Sequence, residues 1–141
     1  MDVEKQIFDI LFSGLKAAKA EYLRSVYTAI ASILAGIGWF LTSKETRSFF
    51  ASHAKSRYFL ICTIIFLAIL HWSNVFQMAS RSHKTLQLIK DNCFVKASNI
   101  GEQYFAPFIV YQHWPYFSCV FTAALFFILI YIIAKSNSME P

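Results

Sequence analysis

Residues 58–80 read YFLICTIIFLAILHWSNVFQMAS, a run without one charged side chain. As a helix rising about 1.5 Å per residue it extends roughly 34 Å, enough to cross a hydrocarbon layer of roughly 30 Å. This stretch therefore predicts a membrane-spanning helix. Its second half is less uniform, with His71, Trp72, Ser73 and Asn74 clustered at or beyond the midpoint. Thr63, Asn74, Gln77 and Arg81 share a register of three- and four-residue steps, so they are expected on one side of the helix with His71 beside them. An amide or imidazole in hydrocarbon needs a partner, which points to a helix interface or a water-filled path rather than open lipid contact.

Upstream, the connector 44–57, KETRSFFASHAKSR, is basic and short. A link of this length makes the spans on either side antiparallel neighbours. Lys44, Arg47, Lys55 and Arg57 are placed to meet headgroup phosphates, and His53 is expected as an exposed loop residue. Before it lies a first span, 22–43, with Arg24 snorkelling at one end and Trp39 as an interfacial anchor at the other. Within that span Ser25, Ala29, Ser32 and Gly36 recur at steps of four, three and four. This face of small residues permits close approach by another helix, in the same chain or in a partner. Residues 1–21 predict an amphipathic helix: Ile7, Leu11, Leu15 and Ala18 lie opposite Lys5, Asp9, Ser13 and Lys16. It is expected to lie among the headgroups, dock on another subunit or pack on loops of its own chain.

Downstream, residues 81–113 predict a helical extension that stops near Asn99 and Gly101, followed by an apolar or re-entrant linker at 103–113. Trp114 then opens a third span, 114–134, with Pro115 at its start and Tyr131 toward its end. Residues 135–141 form a polar tail. The fold class is accordingly all-α, an integral membrane protein with three transmembrane helices and an N-terminal amphipathic helix.

Composition agrees with this class. Charged residues make up 15% of the chain, against about 25% in ordinary soluble domains. The formal charge of +5 resides in the segments between apolar tracts and forms no RNA- or DNA-reading motif, so membrane lipids are the expected partner and nucleic acid is not. Cys62, Cys93 and Cys119 have no metal-ligand spacing, and the separations of His83, Asp91 and Cys93 fit no compact site. No removable signal peptide is expected, since acidic residues interrupt the first twenty-one positions. With three spans, the side holding the N-terminus and 81–113 carries the larger set of Lys and Arg, which predicts a cytoplasmic N-terminus in a plasma membrane, such as a bacterial inner membrane.

Phosphate loops, HExxH, CxxC and nucleophile-elbow motifs are all missing from the sequence. His71 and Ser73 stand two apart on a helix and do not face each other, as a base and its nucleophile must. No catalytic, cofactor-binding or metal residue is therefore expected, nor any enzyme. Two readings remain. One is a small membrane subunit that joins copies of itself or a larger complex through the small-residue face and the polar stripe. The other is an oligomeric pore or membrane-perturbing effector, for which leakage from liposomes is the discriminating observation.

Overall fold

The computed structural model describes residues 2–98 and 100–135. Among these the chain is helical, with no strand: α1 Asp2–Thr42, α2 Lys44–Ser52, α3 Ala54–Asp91, α4 Cys93–Ala97 and α5 Trp114–Ala134, with 3₁₀ turns at Glu102–Tyr104 and Ala106–Phe108. Three helices, α1, α3 and α5, are long and apolar enough to span a membrane. The third span, expected at 114–134, coincides with α5. Residues 1–21 and 22–43 were expected as separate elements, but α1 runs through their junction unbroken. No glycine or proline stands near residue 21 to stop the helix.

The long helices bury side chains at intervals of seven. In α1 these are Phe8, Leu15 and Tyr22, then Val26, Ile33 and Phe40. In α3, Ala68, Val75, Ser82 and Ile89 follow the same interval. In α5, Pro115, Thr122 and Leu129 do so. A strict seven-residue repeat is the signature of knobs-into-holes packing along a narrow seam.

Two compact units result. The first comprises Met1–Ser25 and Asn74–Pro115. Phe8, Leu15, Leu86, Ile89, Val95 and Phe105 form its core, and Phe12, Ile100, Phe108 and Ile109 pack against it. The N-terminal segment packs its buried face on Leu86 and Ile89 of α3 and on the segment around Phe105 of its own chain. Asn92 ends α3: its backbone N–H donates to Ile89 O at 3.1 Å, and its side-chain amide donates to Glu4 O at 3.5 Å. The extension thus breaks earlier than expected and resumes as the five-residue α4; Asn99 lies outside the described residues. The linker 103–113 makes tight 3₁₀ turns. Phe105 and Val110 are fully buried there, with Phe105 and Phe108 edge-on to the Phe12 ring at 6.0 and 5.0 Å.

The second unit comprises Val26–Ser73 and Tyr116–Pro141, described as far as residue 135. Ile33, Phe40, Ile64, Leu129, Ile132 and Ile133 form its core. The connector 44–57, expected as a polar link, contains the helix α2. Ser43 caps it, accepting from Thr46 N at 3.2 Å, and Arg47 donates to the carbonyls of Phe40, at 3.3 Å, and Leu41. One cation thus satisfies carbonyls that the end of α1 leaves without helical donors.

Candidate functional site

The polar residues of α3 divide between two faces. Thr63 is half-buried and donates to Phe59 O at 2.9 Å, within its own helix. Asn74, Gln77 and Arg81 are exposed. His71 was expected beside them, but it belongs to the inner seam with Ile64 and Met78, at seven-residue intervals. It is half-buried, and its Nε2 is enclosed with no hydrogen bond among the described residues. The difference arises because the buried seam keeps a strict seven-residue period, and position 71 falls inside that seam while 74, 77 and 81 fall outside.

Trp72 bonds within the bundle. Its indole Nε1 donates to Thr122 Oγ1 at 3.1 Å, and the Thr122 hydroxyl donates in turn to Ser118 O at 2.8 Å. This buried pair links α3 to α5 with every donor matched, as a polar contact in an apolar layer requires. Thr122 was not singled out from the sequence. Its one signal is a hydroxyl in the otherwise apolar tract that follows Cys119.

On α1 the small-residue face is largely spent inside the chain. Ser25, Ala29 and Gly36 are half-buried and Ser32 is exposed. A methyl group on Gly36 would stand 3.8 Å from Leu129 Cδ2, in ordinary contact, so α1 faces α5 at this position with room for an alanine. Among the expected anchors, Arg24 and Trp39 are exposed. Trp114 packs at the start of α5, its ring 6.4 Å from Tyr22 and 5.3 Å from Tyr111. The Lys19 ammonium lies 5.2 Å from the Trp114 ring and donates to Pro107 O. Lys16 sits 4.2 Å from the Phe12 ring and 5.1 Å from that of Phe108. Two lysines of α1 thus hold the 3₁₀ segment, Lys16 by cation–π attraction to Phe108 and Lys19 by its hydrogen bond to the Pro107 carbonyl.

Ser82 carries no signal in the sequence, while His83 enters there only through the spacing with Asp91 and Cys93 that fits no compact site. Ser82 is buried, and neither its Oγ nor His83 Nε2 finds a hydrogen-bond partner among the described residues. Consecutive helical side chains point about 100° apart, so the two do not converge on a shared reactant. No family model, curated protein or solved structure matches this chain.

Proposed function

We propose that this chain is a small, non-enzymatic membrane subunit that assembles through its helices, either with copies of itself or within a larger membrane complex. The observation that carries the reading is the exposure of Asn74 and Arg81, on a side of α3 turned away from its buried seam. A carboxamide facing hydrocarbon is costly, and a neighbouring helix that hydrogen-bonds to it removes the cost. Placement of the N-terminus and of 81–113 on the cytoplasmic side of a plasma membrane, with lipid headgroups around the basic connector, belongs to the same proposal.

The test is replacement of Asn74 and Gln77 by leucine, followed by purification in mild detergent. A smaller complex than that of the unmodified chain, or loss of a co-purifying subunit, is the expected result. An unchanged complex contradicts the reading. The pore alternative takes the same stripe as the lining of a water-filled path among several copies, and it requires dye leakage from liposomes that falls when Asn74 is replaced.

A further inference from the structure

At one end of the second unit three helix termini meet, and each brings an exposed aromatic ring together with a cation. Trp39 precedes Lys44 where α1 gives way to α2, Tyr58 follows Lys55 and Arg57 at the opening of α3, and Tyr131 precedes Lys135 at the close of α5. The termini share this end because Phe40, Phe50, Ile132 and Ile133 belong to one apolar cluster. Trp39 and Tyr58 are 60% and 65% accessible. Aromatic rings and cations at a common level mark the boundary between hydrocarbon and headgroups.

Helix α2 closes that end as a fixed surface. Phe50 stacks on Phe40 at 6.0 Å between ring centroids, while Phe49 is exposed and stacks on His53 at 4.5 Å. Arg47 is spent on the carbonyls of Phe40 and Leu41, and Lys135 donates to the Tyr131 hydroxyl at 3.0 Å. Lys44 opens α2 and Lys55 follows its end; both are exposed, with no ion pair or hydrogen bond among the described residues.

Charge decides which headgroup such a surface selects. The second unit carries Lys44, Arg47, Lys55, Arg57 and Lys135, against Glu45 as its one carboxylate side chain among the described residues. The first unit instead mixes acidic residues with its lysines and arginines throughout. A zwitterionic headgroup sets its own ammonium beside its phosphate, and a surface of both signs matches it. A surface of one sign gains from a headgroup that is negative overall. The attraction fades within a Debye length, roughly 8–10 Å, so the cations at headgroup level are the ones that count.

We infer that the α2 end of the second unit binds anionic phospholipid in preference to zwitterionic phospholipid, with Lys44 and Lys55 meeting the headgroup phosphates. This rests on the placement of headgroups around the basic connector proposed above, and adds the charge class of the lipid and the two side chains that read it.

The test uses the full chain reconstituted in phosphatidylcholine vesicles at low ionic strength. A trace of spin-labelled phosphatidylglycerol or, separately, spin-labelled phosphatidylcholine reports the fraction of lipid immobilised on the protein. Phosphatidylglycerol is expected to associate more strongly, and K44Q or K55Q alone to weaken its association about fivefold, the factor that corresponds to one basic side chain near an anionic surface. K44R/K55R is expected to keep the preference. K5Q/K84Q, which removes the same charge from exposed positions of the first unit, is expected to leave it unchanged. Equal association of the two lipids with the unmodified chain, or a preference that K44Q/K55Q leaves intact or that K5Q/K84Q lowers as much, overturns the proposal. Those results leave the assembly reading standing, because the mass of the complex tests it separately; a chain that alkaline washing strips from the vesicles overturns both.

Discussion

At residue scale the interior is held by a few specific fits. The Trp72 indole and the Thr122 hydroxyl are each other's partner, so Thr122→Val leaves a donor unmatched in the layer between α3 and α5. A double-mutant cycle with Trp72→Phe is expected to give a coupling of about 0.6 kcal/mol, the average for interhelical hydrogen bonds in membrane bundles, and no more than about 1.7 kcal/mol, measured by denaturation in detergent. Zero coupling removes the bond from the account. Gly36 gives a graded test. Its added methyl would stand at 3.8 Å from Leu129, ordinary contact, so Gly36→Ala is expected to keep or raise thermal stability, gaining about 1 kcal/mol of helix propensity. Gly36→Phe is expected to lower it by forcing α1 from α5, whereas Gly38→Phe, where nothing lies within 4 Å, leaves it unchanged. A drop with Gly36→Ala or equal effects of both Phe variants contradicts this packing. Some of these roles were legible in sequence and some were not. The small-residue spacing pointed to close approach around Gly36. The role of Trp72 depended on where Thr122 arrives from another helix, which spacing within α3 does not contain.

At the scale of elements, apolar length marked all three spans, because a run without charge announces its medium regardless of tertiary contacts. The inner seam was invisible for the same reason. When nearly every residue of a tract is apolar, hydropathy does not tell Ala68 or Val75, which are buried, from Phe66 or Leu67, which are exposed. The 3₁₀ segment was illegible as well, since its turns are held by α1: Phe105 lies 6.4 Å from Phe8, and the Lys19 bond to Pro107 spans most of the chain. Phe105→Ala is accordingly expected to cost about 3–5 kcal/mol within this unit. Faster hydrogen exchange across 100–113 and the first turns of α1 checks this, and unchanged exchange there contradicts it. For α2, Ser43→Ala removes the cap bond to Thr46 and is expected to cost about 1 kcal/mol, seen as increased exchange confined to 44–47.

At the scale of the whole molecule, the chain has a membrane protein's helices and surfaces that its own helices leave uncovered. The outward Asn74 carboxamide of α3 is costly to leave facing the hydrocarbon that the apolar part of its helix selects. The proposed assembly removes that cost. It also agrees with the sequence, in which side chains suited to helix pairing are plentiful. The most direct test is native mass spectrometry of the complex released from membranes, with all co-purifying chains retained. The account predicts a mass of two or more copies, alone or with another membrane subunit, that persists on dilution. A single copy without partners across the full range of protein concentration would contradict it.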